Sequence, residues 1–260
     1  MAIDKKIFLR NDDVRNVLDK ELTDLTQLCI SHKIPISHAV EPANVSDEVI
    51  NWLLTLKMKH PTLIEIIQHG YNHNLTHPEA KMEFGGNRNY VDQLNDIVKG
   101  KKLMDQYFGD YWSPVFTFPY GSYNYYTLKA VEKAGYNAIS SKIDFSTKNQ
   151  IKNKIGTMLN KDFLYNKKIS YHNSQRKKFT FKEFSISVNL IKNYIDSNTA
   201  LHYSIDEIFS QVLTAEKHTN TIGILFHHRF HKNEMLMIDN LITKLKDKQF
   251  TFSTIMKLIC

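Results

Sequence analysis

The chain has 260 residues, 42% hydrophobic and 12% aromatic, with a formal charge of +7 and a pI of about 9.1. This length and apolar content suit one large core, and a single α/β barrel routinely reaches this size; no apolar run approaches the roughly 18 residues of a membrane span. Basic residues are scattered apart from local runs at 148–161 and 176–178, which fits a lysine-rich solvated surface and excludes the concentrated basic stripe of a nucleic-acid binder.

The opening residues Met1 to Lys6 carry no apolar leader, so a cytoplasmic location is expected. Residues 5–9 read as a first strand that runs into Arg10-Asn11-Asp12-Asp13. Leu18, Leu22, Leu25, Leu28 and Cys29 recur at helical spacing over 18–32. Cys29 and Cys260 make neither a disulfide framework nor a zinc-cysteine cluster, and a reducing compartment fits them. Pro35 to Val40 is a second strand, and Ser46 caps a helix carrying Val49, Leu53, Leu54 and Leu56. The β-branched run Leu63 to Ile67 is a buried strand, broken by Gly70 within Gln68-His69-Gly70-Tyr71-Asn72-His73-Asn74. Two histidines four apart share a face if that segment coils into a helical turn.

Gly85-Gly86-Asn87 is a loop before a long helix over 90–108. Val115 to Phe118 is a strand ended by the turn Pro119-Tyr120-Gly121. A helix over 124–134 and a short strand over 136–140 follow. Residues 146–178 are polar, Lys- and Asn-rich and weakly periodic, and read as a loop insertion. Phe181 to Asn189 alternates as a strand, and Thr221 to Phe226 is fully apolar and ends at His227-His228. A helix over 234–247 and Phe250 to Phe252 close the chain.

The alternation of strand and helix predicts a parallel α/β fold in one domain, either an open sheet or a barrel, with function at the carboxyl ends of the strands. Four polar clusters fall at such ends: Asp12-Asp13, His69 to His73, Pro119-Tyr120-Gly121 and His227-His228. One carboxylate with His69 and His73 supplies three N/O ligands and leaves a coordination position for water, the arrangement of a catalytic zinc site. The second carboxylate suits a general base, and His227 a general acid for the leaving group. Taken singly, each cluster has a plainer reading: an Asp pair as helix cap, a His pair as polar loop. Chance accounts poorly for all four falling at the ends of four strands.

The order of these clusters resembles that of the polysaccharide deacetylases, the NodB-homology or carbohydrate esterase 4-like group. Asn11-Asp12-Asp13 matches the first motif, His69 to His73 the second, Pro119-Tyr120-Gly121 the third and Leu225-Phe226-His227 the last. Gly70 and Glu83-Phe84-Gly85 look more like divergent members that lack a signal. The resemblance implies a distorted (β/α) barrel of about seven strands. It implies Asp12 as base, and Asp13, His69 and His73 as ligands of Zn²⁺ or another divalent transition metal. It also implies an oxyanion contact from the Tyr120 backbone beside Pro119, and His227 as acid.

Two departures stand out. The family's Arg two residues before the Pro is Thr117 here, with Arg10 or Arg88 as substitutes for holding the base. The family's Asp that orients the acid has Asp144 as its nearest candidate. His228 competes with His227, Glu83 is within sequence reach of the site, and His77 is an alternative to His73. The resulting expectation is a metal-dependent enzyme removing an acyl group from an N-acylated amino sugar or glycan precursor. Its rivals are a catalytically silent glycan-binding module and a hydrolase of a non-sugar C–N bond.

Overall fold

The computed structural model describes residues 5–76, 82–145, 147–159, 179–197 and 199–259. Its strands and helices run, in chain order, β1 (Lys6–Val14), α1 (Lys20–Ser31), β2 (Ile36–Val40), α2 (Asp47–Lys59), β3 (Ile64–His69), α3 (Tyr90–Phe108), β4 (Val115–Thr117), α4 (Tyr125–Lys133), β5 (Ala138–Ser140), α5 (Thr147–Leu159), β6 (Lys182–Glu183) and β7 (Ile186–Asn189). They continue as β8 (Ile191–Tyr194), β9 (Ala200–His202), α6 (Ile205–Glu216), β10 (Thr221–Phe226), α7 (Met235–Asp247) and β11 (Thr251–Phe252). The alternation expected from sequence is therefore present. Within the expected loop insertion, residues 147–159 are helical, and 160–178 lie outside the described residues, as does His77.

One sheet carries the order β6-β5-β4-β3-β2-β1-β10-β7, with β11 beside β1, and its pairings are parallel. It curls until the chain just past β5 meets β7: Ile186 N–H donates to Ser141 O, and Ile143 N–H to Ile186 O. The result is a distorted (β/α) barrel with eight strands in its path, against about seven expected. Parallel strands need crossovers, and the first four helices each enter with a side-chain cap: Asp19, Ser46, Asn89 and Asn124 accept backbone N–H groups of the first turn.

Strand periodicity sets the core. Phe8, Ala39, Ile67, Val115, Ala138, Ile186 and Leu225, one from each of seven strands, form a buried cluster with Ile255 that fills the barrel. Their sequence neighbours, such as Leu9, Val40, Ile66, Phe116 and Ile224, pack outward in the larger core shared with the helices. Gly223 makes room for Phe8, because a Cβ there would stand 2.3 Å from the Phe8 ring. Below this layer the buried Glu65 carboxylate accepts Ile255 N–H at 2.8 Å, Met256 N–H at 2.9 Å and the Ser37 hydroxyl at 2.5 Å. These bonds hold the C-terminal segment as a plug.

Candidate metal centre and hydrolytic site

The residues two positions above that apolar layer point to the same side of each strand and line the opposite mouth of the barrel. In five of the seven strands they are Arg10 above Phe8, His69 above Ile67, Thr117 above Val115, Ser140 above Ala138 and His227 above Leu225. All but Thr117 line one cavity of about 400 Å³, together with Asp12, Asp13, His73 and Tyr120.

Adjacent Asp12 and Asp13 both reach the cavity because β1 is not regular there. The β1–β2 register shifts between Asn11 and Val14, and Asp13 takes a left-handed φ of 61°. Such an irregularity re-aims a side chain that a regular strand would turn away.

Asp13 Oδ1 lies 3.4 Å from His69 Nε2 and 3.2 Å from His73 Nε2, and the three potential ligand atoms all fall within 4.8 Å of one another. Hydroxyls hold the other nitrogen of each ring. His69 Nδ1 is 2.6 Å from Thr117 Oγ1, whose proton goes to Gln68 O at 3.1 Å. His73 Nδ1 is 2.6 Å from Tyr120 Oη, whose proton goes to His73 O at 3.0 Å. Each hydroxyl proton is committed to a carbonyl, so each Nδ1 is the donor, which leaves each Nε2 able to donate to Asp13 when protonated or to give its lone pair to a metal beside it. Two imidazole nitrogens and one carboxylate oxygen fit a borderline divalent metal. Burial alone would raise Asp13, but bonds from His69 and His73 hold its pKa well below the usual value. The same pairing raises His73 against the effect of its burial.

The His69–His73 segment is not the helical turn expected from its spacing. Gly70 and His73 both take left-handed φ, 57° and 56°. The buried Glu83 carboxylate gathers the backbone N–H groups of Tyr71 (2.5 Å), Asn72 (2.9 Å) and His73 (3.0 Å). A Cβ at Gly70 would stand 2.4 Å from both Glu83 Oε2 and Pro119 Cγ, so only glycine fits. Glu83 and Pro119 thus shape the ligand loop from behind and are not among the cavity-lining residues. Burial pushes Glu83 up to about 7 against the pull of the Asn72 and Tyr71 N–H groups and the neighbouring histidines.

Arg10 supplies the guanidinium missing at Thr117. Its Nε and Nη2 each lie 2.8 Å from an oxygen of Asp12, and Nη1 donates to Ser140 O and Oγ at 2.6 and 2.8 Å. Arg88, the other candidate, instead pairs with Asp96 at 2.7 Å and donates to Glu83 O. Burial would raise Asp12, but Arg10, His69 and His227 outweigh it and hold its pKa below 3.8.

His227 lines the cavity, and burial lowers its pKa despite Asp13 and Asp12 nearby. His228 turns away: its N–H and Nδ1 lie 3.0 and 3.2 Å from Asn11 Oδ1, and Nε2 lies 3.5 Å from Asp19 Oδ2. Asp144 lines a different cavity, with Ile143 and Ser187. The cavity residues that escaped the sequence reading include Arg229, Tyr194 and Asp196. Arg229 Nη2 pairs with Asp13 Oδ2 at 3.0 Å, while Tyr194 and Asp196 come from the β8–β9 region. Arg229 sits two residues past His227 in a basic, aromatic His-His-Arg-Phe-His run, a signal that was legible. Tyr194 carried no local signal.

Fold and site together define a class: barrel proteins whose strand-end ligands suit a divalent metal and hydrolytic chemistry. A family model described as polysaccharide deacetylase matches residues 4–139, and the chain belongs to that family. No curated protein matches the chain. Solved structures with the same fold include the Xyl-CE4 domain of a multidomain xylanase from the hindgut metagenome of Trinervitermes trinervoides. It is 15% identical, with 98% of this chain and 89% of that chain covered and a TM-score of 0.55. A family 4 acetyl xylan esterase from Clostridium thermocellum, in complex with cobalt, gives 12% identity, 98% and 90% coverage and 0.59. BA3943, a CE4 family pseudoenzyme from Bacillus anthracis, gives 14% identity, 99% and 66% coverage and 0.57.

Proposed function

We propose that the protein is a metal-dependent hydrolase that removes an N-acyl group, most simply acetyl, from an amino sugar or glycan precursor. The observation that carries this reading is the convergence of Asp13, His69 and His73 within ligand distance of one another, with Asp12 and His227 on the same cavity. A divalent ion such as Zn²⁺ held by those three side chains would polarise the acyl carbonyl and ease deprotonation of water.

The chain's own groups supply the remaining steps. Asp12, kept ionised and oriented by the two-point grip of Arg10, takes a proton from the attacking water. The water oxygen bonds to the acyl carbon, and the Tyr120 backbone N–H donates to the developing oxyanion. His227 delivers a proton to the departing nitrogen as the C–N bond breaks, giving a carboxylic acid and a free amine. Arg10 also answers the departure at Thr117 that would suit a silent glycan-binding module. Two cysteines in the sequence, with Cys29 buried and free, fit a reducing, cytoplasmic compartment.

Asp12→Asn tests the assignment. Acetate release from N-acetylated chito-oligosaccharides should fall by about 100-fold or more while bound metal is kept. Wild-type turnover in that variant would refute Asp12 as the base.

A further inference from the structure

Among the described residues no carboxylate lies at hydrogen-bond distance from the His227 ring, and Asp144, the nearest candidate by the family resemblance, lines another cavity. The surroundings of His227 come instead from a hairpin outside the barrel sheet. β8 and β9 pair antiparallel, with Ile191 opposite His202 and Tyr194 opposite Ala200, and the base of the hairpin is anchored by buried Leu190 and Ile191.

This hairpin reaches His227 twice. From β8, Tyr194 Oη lies 3.4 Å from His227 Nδ1. The Tyr194 ring stands edge-on to His227, with centroids 6.0 Å apart at 88°, and packs against Phe230 at 5.1 Å. From β9, His202 Nε2 lies 2.9 Å from Nδ1 of the fully buried His231, and His231 Nε2 accepts the His227 backbone N–H at 3.3 Å.

The second contact fixes its own proton pattern. His231 Nε2 is an acceptor, so its Nδ1 carries the proton and donates to His202 Nε2. His202 Nδ1 then carries its proton toward Glu234 Oε1, 3.7 Å away. Burial keeps His231 neutral, with its pKa well below the usual value, which is the state this chain of bonds needs. One strand of the hairpin thus holds the ring of His227, and the other holds its backbone through His231.

We propose that the β8–β9 hairpin is the positioning device for the general acid, with Tyr194 setting the ring of His227 and His202 setting its backbone through His231. The assignment rests on the reading of His227 as the acid. A neutral phenol here stands in place of the expected carboxylate. By pairing with Nδ1, it leaves Nε2 as the nitrogen that exchanges a proton with the leaving group.

The rival role for an aromatic residue on this cavity is a platform for a sugar ring, and Tyr194→Phe separates the two. It keeps the ring and its packing and removes only the hydroxyl. With zinc-loaded protein, kcat for deacetylation of triacetylchitotriose should fall about tenfold with KM little changed, whereas a lost platform contact would raise KM. Turnover of para-nitrophenyl acetate should be unaffected, because its leaving group departs without a proton. In a His227→Ala background Tyr194→Phe should cause no further loss. His202→Leu should show the same selectivity for the amide, and His202→Gln, whose amide oxygen can still accept from His231, should restore turnover.

Ring ¹⁵N spectra of His227 give a readout that stands apart from any deacylase activity. The wild type should show a single tautomer, and Tyr194→Phe a mixture. If triacetylchitotriose is not turned over by the wild type, the spectra decide alone. Unchanged His227 spectra in Tyr194→Phe, or equal losses on the amide and the aryl ester, would overturn the proposal.

Discussion

Arg10 and Asp12, two residues apart on β1, face each other through two parallel contacts of 2.8 Å, and both side chains are almost fully buried. The period of the strand puts them on one face, and the fork geometry of guanidinium fixes the plane of the carboxylate. Arg10→Lys keeps the charge and loses the second contact. Deacetylation should fall by about tenfold or more with metal content unchanged. Arg10→Met strands a buried carboxylate and should lower stability to urea by about 3–5 kcal/mol. Equal urea midpoints for Arg10→Met and wild type would show that the pair does not bear on folding.

Thr117 and Tyr120 act on the metal through the histidines. Removing either hydroxyl, by Thr117→Val or Tyr120→Phe, frees one imidazole to adopt the wrong tautomer. Zinc affinity measured by calorimetry should drop about 10- to 100-fold for each. Unchanged affinity in both variants would exclude hydroxyl control of the ligand rings.

Glu83 is tied to the same centre from the backbone side. Glu83→Ala leaves the N–H groups of Tyr71, Asn72 and His73 without their acceptor in a half-buried setting. The loss should be about 3 kcal/mol of stability, with weakened zinc binding. Gly70→Ala should fail in the same way, since its Cβ would displace Glu83 and Pro119. Thermal melts with and without zinc check both; a melt like wild type for Gly70→Ala would contradict the packing described.

Acid sensitivity should trace in part to His38. It is fully buried between Asn11 and Thr26, and burial first, then His228, lowers its pKa from 6.5 to about 3. The folded value lies below the unfolded one, so this contribution to stability is complete above 6.5 and is lost as pH falls toward 3. By about pH 5 the loss from this group alone is about 2 kcal/mol. His38→Gln should show a flatter dependence of unfolding free energy between about pH 7 and 5. An unchanged slope would remove His38 as a source of acid sensitivity.

The barrel was legible because strands buried on both faces read as apolar runs: Ile222 to Phe226 is such a run, and Ile64 to Ile67 is one interrupted only by Glu65. The Asp12-Asp13 pair was legible by type, but the irregularity that aims both residues depends on pairing with β2 and left no mark in the sequence. The His69–His73 spacing suggested a helical turn. Glu83, ten residues past His73, overrides it by collecting three N–H groups in a left-handed loop. Arg10 could be found from the strand period, whereas Arg88 is drawn off by Asp96. α6 went unread despite a clear signal: Ser204 and Glu207 form a capping box ahead of Ile208, Phe209, Val212 and Ala215. The β8–β9 hairpin was hidden for a better reason, since β8 buries only Ile191 and its role comes from contacts made with His227 and His231.

The central claim is a metal held by Asp13, His69 and His73. Metal analysis of the purified wild type beside a His69→Ala/His73→Ala double variant tests it most directly. The account expects about one zinc-like ion per chain in the wild type and none in the double variant. A wild type that takes up no metal from excess Zn²⁺, or a double variant that binds as much as the wild type, would contradict it.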